Sequence, residues 1–198
     1  MRCLRYAKGR RRTVLMGALL CLLVLGSGAQ GAPLVKNDPA QSAGPAGTIR
    51  ILPFPAHASP GGTVTVDVWL EGGTNYYGID VRLYFDTARL QAAATKVTPI
   101  WEVFDENNHF IIKNQVNSST GEIWYAVTNT NPAEPFTGTG RIFSVTFVGA
   151  EPGAAVLDFY YVKGSTRDGD ALYPTQVDGA ILVGSAYRLH LPVVQAGP

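Results

Sequence analysis

The chain has 198 residues, 16% of them charged, a formal net charge of +1 and only two cysteines, Cys3 and Cys21. That length suits one domain with appendages. So few cysteines exclude a disulfide-stapled scaffold, and the lack of any basic run beyond the first twelve residues argues against a nucleic-acid binder.

Arg2, Arg5, Lys8, Arg10, Arg11 and Arg12 open the chain without an acidic residue, residues 14–25 are almost wholly apolar, and residues 26–29 are small. This is the layout of a bacterial secretory signal peptide over residues 1–31, with cleavage after Ala29 or Gly31. The apolar run is short of the roughly 20 residues that span a bilayer, so the mature chain is expected to have no stable membrane span. Arg11-Arg12-Thr13-Val14-Leu15 resembles a twin-arginine motif, but basic leaders often contain Arg pairs, and ordinary export is the expectation. Cys21 follows Leu20 rather than a small residue, which argues against lipidation. Both cysteines and six basic residues leave with the signal, so the mature chain holds no thiol and carries ten basic against fifteen acidic residues.

Residues 32–47 are rich in Ala, Pro, Gly, Gln and Ser and are expected to form a flexible linker. From residue 48 to residue 184 the pattern is that of strands. Val64, Val66, Val68 and Leu70 alternate with Thr63, Thr65, Asp67 and Trp69. Ile79, Val81, Leu83 and Phe85 alternate with Asp80, Arg82 and Tyr84. Period-two alternation marks strands with one face on a core and one in water. Similar runs occupy residues 48–54, 109–113, 122–128, 141–148, 156–162 and 180–183, separated by turn signals such as Pro60-Gly61-Gly62, Pro152-Gly153, Asp168-Gly169 and Asp178-Gly179. Residues 87–94 give a short helical hint, read as a turn leading to another strand. Eight or nine strands at this spacing predict an all-β, antiparallel sandwich. Residues 185–198 form a C-terminal tail, whose Tyr187-Arg-Leu-His-Leu-Pro segment reads either as an attachment signal or as an edge strand or free end.

The order of features is similar to the cohesin family over about residues 48–184. A Pro-Gly-Gly turn leads into an alternating Val strand. A Tyr77-Gly78-Ile79-Asp80 strand ends in Leu83-Tyr84-Phe85-Asp86, with Leu90 after it. Gly121-Glu122-Ile123 and Gly140-Arg141-Ile142-Phe143 follow, and Asp178-Gly179-Ala180-Ile181 closes the domain. The resemblance implies a jelly-roll sandwich of about nine strands. It also implies a dockerin-like protein partner, a module that carries its own calcium and is attached to polysaccharide-degrading enzymes. Asp80 falls on a dockerin-contacting aspartate of that family; Gly78 falls where a contacting asparagine would stand, a departure.

Chemistry is sparse. His57, His109 and His190 join no nucleophile motif, and Ser59 and Ser144 lack the Gly-x-Ser-x-Gly setting, so no catalytic residue is assigned and no enzyme activity is expected. The acidic loops 105–108 and 168–170 are oxygen-rich but too short for an EF-hand; they are read as turns, and no metal or cofactor is expected. Asn117-Ser118-Ser119 is read as a loop.

The outward positions are the informative ones. Alternation puts Asp80, Arg82 and Tyr84 outward. It leaves Trp124 outside when Ile123, Tyr125 and Val127 point in. It leaves Asp158 and Tyr160 outside when Leu157, Phe159 and Tyr161 point in. The cohesin resemblance implies that these three strands share one sheet, which makes Asp80, Arg82, Tyr84, Trp124, Asp158 and Tyr160 a candidate partner-binding face. Trp, Tyr and Arg are the types enriched at interface centres. Three readings remain open: a monomeric, secreted or envelope-associated module that captures a protein; a carbohydrate-binding module stacking Trp124, Tyr84 and Trp69 or Trp101 on sugar rings; and a structural envelope component.

Overall fold

The computed structural model describes residues 46–184. The signal peptide, most of the linker and the C-terminal tail read above lie outside the described residues.

Among the described residues thirteen strands follow in order: β1 Thr48–Leu52, β2 Ala56–Ala58, β3 Thr63–Tyr76, β4 Gly78–Phe85, β5 Leu90–Ala92, β6 Thr98–Pro99, β7 His109–Asn117, β8 Glu122–Asn129, β9 Phe136–Gly149, β10 Gly153–Ser165, β11 Ala171–Leu172, β12 Thr175–Val177 and β13 Gly179–Val183. The surplus over the nine expected comes from pieces of two or three residues, too short to show a period. Residues 87–94, read as a turn leading to another strand, are a turn only over residues 87–89; β5 follows within the same stretch. Among the described residues no helix is long and apolar enough to cross a membrane.

The strands form two sheets. One runs β12-β1-β3-β9-β5 with β6 also on β9; the other runs β2-β13-β10-β4-β8-β7 with β11 also on β10. Pairing is antiparallel except for β1 with β12 and β2 with β13, which are parallel. The expected antiparallel sandwich is therefore a mixed one at its margins. The pairings of β3 with β9 and of β4 with β8 and β10 join strands distant in sequence, as jelly-roll connections require, while β7 and β8 form a hairpin.

The inward residues of the alternating strands make the core. Ile49, Ile51, Val66, Val68, Leu70, Phe143 and Phe147 come from one sheet, and Ile79, Val81, Leu83, Ile123, Tyr125, Leu157 and Ile181 from the other; all are buried. Aromatic pairs join the two layers. Phe85 meets Phe147 edge-on at 5.1 Å, and Tyr125 meets Phe143 at 5.0 Å. At the start of the domain, the Tyr76 hydroxyl donates to the Ala46 carbonyl at 2.7 Å. Close packing holds the ring there, because a Cβ on Gly164 would lie 2.3 Å from it. The end of the segment expected as linker is thus tied to the sandwich.

One inward expectation fails. Tyr161 points outward, 37% exposed, and Val162 takes the core position instead. The β10–β4 ladder shifts register between Phe159 and Tyr161. A bulge adds one residue to a strand and reverses the facing of everything beyond it.

Candidate partner-binding face

β10, β4, β8 and β7 lie side by side, so the three strands expected in one sheet do share one. Their outward residues stand in rows set by the register. Asp158, Tyr84, Glu122 and Asn117 form one row. Tyr161, Arg82, Trp124 and Gln115 form the next, followed by Lys163, Asp80, Ala126 and Lys113. All six candidate residues reach this face.

Arg82 is the centre. Its guanidinium donates to both oxygens of Asp80, at 2.9 and 3.2 Å. The guanidinium carbon lies 4.0 Å from the Trp124 ring centroid and 4.7 Å from that of Tyr161. Lys113 adds a second cation, 5.1 Å from the Trp124 ring. Cations are attracted to the negative face of an aromatic ring at these distances. The hydrogen bonds from Arg82 to Asp80 raise its pKa above the already high arginine value, so the guanidinium is a fixed charge.

Tyr84 and Tyr160 stack on one another, centroids 4.3 Å apart and planes 20° from parallel. The Tyr160 hydroxyl donates to Glu122. Desolvation first, and then that bond to a carboxylate, hold the Tyr160 phenol neutral well above its ordinary range. Asp158 is exposed beside Tyr84 and makes no ion pair among the described residues. The Trp124 indole N–H is covered and finds no acceptor there.

Tyr161, Glu122, Lys113 and Lys163 also belong to this face and were missed by sequence reasoning. Tyr161 was misplaced by the bulge. Glu122 was within reach of the alternation that placed Trp124 outside. Lys113 carries no local signal, since β7 has its own register shift between Ile111 and Lys113. Phe110 and Ile112, 61% and 60% exposed, extend the apolar surface along β7.

The other tryptophans are elsewhere. Trp69 pairs with Arg141 on the opposite sheet, and Trp101 packs on His109 at 4.0 Å. The acidic loops are turns. Asp105 Oδ1 accepts the backbone N–H groups of Asn107 and Asn108 at 2.7 and 2.8 Å. Asp170 N–H donates to Thr166 Oγ1, with Gly169 at a φ of 91°. Among the described residues no group of three or more His, Cys, Asp or Glu is placed to hold a metal.

No family model matches the sequence, and no curated protein matches it. Solved structures do match. A chain in a type I cohesin–dockerin complex from Clostridium thermocellum aligns with a TM-score of 0.60 at 14% identity, covering 74% of this chain and 99% of that one. A type II cohesin domain from the cellulosome of Acetivibrio cellulolyticus aligns at 0.58 and 18% identity, covering 69% and 95%. A non-cellulosomal cohesin from the archaeon Archaeoglobus fulgidus aligns at 0.56 and 19% identity, covering 70% and 91%. The chain has the fold of cohesin domains.

Proposed function

We propose that this chain is an exported, non-catalytic module that captures a protein partner on the outer face of β10, β4, β8 and β7, with Arg82 at the centre of contact. One observation carries the reading. Arg82 lies between two aromatic rings and is forked to Asp80, in the middle of an open sheet face. A side chain already held in place loses little rotamer freedom when a partner covers it, so more of the contact energy appears as affinity.

The cohesin fold supports the same reading, since one solved relative is described as a cohesin–dockerin complex. The partner is accordingly a dockerin-like module that brings its own calcium and links this protein to polysaccharide degradation outside the cell or at its envelope. Gly78 leaves part of the contact different from that of the family. A Cβ there would lie 2.8 Å from Ser165 Oγ and 3.2 Å from Thr128 Oγ1, so the position has no room for a side chain without a shift.

Stacking on sugar rings is less favoured by the geometry. Arg82 and Lys113 lie over the Trp124 ring, and Tyr84 and Tyr160 cover each other. The test is retention of exported proteins by the immobilised mature protein, with and without EDTA and beside insoluble glucan. A retained protein that EDTA releases is the expected result. Retention on glucan with no protein partner would make this a carbohydrate-binding module.

A further inference from the structure

Opposite charges are separated along this face. Asp158 and Glu122 flank Tyr84 in one row. Lys163 and Lys113 flank the Asp80–Ala126 pair in another. Four residues of β4 separate the rows, about 13 Å at strand rise. Among the described residues Asp158, Lys113 and Lys163 form no ion pair. Glu122 has only the neutral Tyr160 hydroxyl. The cation between the rows, Arg82, is answered by Asp80. The face therefore has a negative end, an aromatic centre in which Arg82 is paired with Asp80, and a positive end whose Lys113 ammonium leans to 5.1 Å from the Trp124 ring.

Resting on the protein-capture reading above, we propose that the partner is a protein surface of matching polarity that docks in one orientation. It presents cations to Asp158 and Glu122 and carboxylates to Lys113 and Lys163. Turning the partner end for end would set like charges against each other, and such juxtaposition suppresses wrong docking more than it alters total contact area. A neutral polysaccharide has no charges to meet this pattern. Salt screens exposed charges beyond about 10 Å at 0.1 M, so the two ends act as separate determinants.

The probe is the exported protein that the immobilised wild-type mature protein retains and the Arg82→Ala mature protein does not, purified and titrated into variants of the mature protein. The Lys113→Glu, Lys163→Glu double variant is expected to bind at least about tenfold more weakly, and Asp158→Lys several-fold more weakly, with unchanged melting temperatures. Carbodiimide cross-linking is expected to join Lys113 or Lys163 to partner Asp or Glu, and Asp158 to partner Lys. Unchanged or tighter binding by the double Glu variant, or cross-links of the opposite sense, overturns the polarity while leaving Arg82-dependent capture intact. If no protein shows Arg82-dependent capture, the capture reading fails and the polarity fails with it.

Discussion

Tyr161 sits opposite Arg82 in the register between β10 and β4, and its ring centroid lies 4.7 Å from the guanidinium carbon. The bulge before it is what turns this ring outward, so a local irregularity completes the clamp on Arg82. Tyr161→Val keeps a β-favouring residue but removes the ring. It is expected to change stability by less than about 1 kcal/mol, as for surface substitutions. It should weaken partner binding about fivefold or more, the range of interface aromatics. Chemical denaturation and calorimetric titration read the two effects separately.

Tyr125 presents a second test, in the core. Its hydroxyl is buried and has no hydrogen-bond partner among the described residues. Burial raises its pKa, as expected of a phenol held away from water. An unsatisfied buried hydroxyl carries a desolvation cost, so Tyr125→Phe is expected to raise stability by about 1 kcal/mol. Urea unfolding checks this. A loss of similar size would show that the hydroxyl is satisfied.

Gly121 closes the turn between β7 and β8 at a φ of 71°, and a Cβ there would lie 2.3 Å from the Phe85 carbonyl oxygen. The obstacle is backbone, which has little freedom to retreat. Gly121→Ala combines a left-handed residue with an overpacked contact and is expected to cost about 1–3 kcal/mol. A melting temperature equal to that of the wild type contradicts this.

The hydrogen bond from Arg89 and those from Arg141 lower the pKa values of Asp86 and Glu102 respectively. A carboxyl whose folded pKa lies below its unfolded value, about 4, adds stability above the unfolded pKa and loses it as pH falls through the folded one. Stability is thus expected to be flat in these groups from pH 7 to pH 5 and to fall below about pH 4. Both pairs are partly exposed, so screening keeps each contribution small. Arg89→Gln with Arg141→Gln should flatten the acid limb of a pH–melting curve and leave the neutral region lower.

Much of the fold was legible because β4, β8 and the first half of β3 alternate without interruption. Val66, Val68 and Leu70 point inward as read, and Ile79, Val81, Leu83 and Phe85 do the same. The outward set on β4 and β8 follows from the same period. The rest depends on information outside any local window. Strands of two or three residues have no period, and the parallel pairings of β1 with β12 and β2 with β13 join segments far apart in sequence. The bulge had one available cue: Phe159 and Val162 are both apolar and are separated by two tyrosines, which a strict alternation cannot accommodate. Lys113 and Lys163 join the face only through the register of three ladders, which no single strand displays.

The most direct measurement of the central claim is a calorimetric titration of the retained exported protein into the wild-type and Arg82→Ala mature proteins, with both melting curves recorded. Removal of Arg82 is expected to weaken binding at least about tenfold, the scale of a central interface arginine, while the melting temperature moves by only a few degrees. Wild-type affinity in the Arg82→Ala protein would contradict the account, because the clamp between Trp124 and Tyr161 would then have no part in recognition.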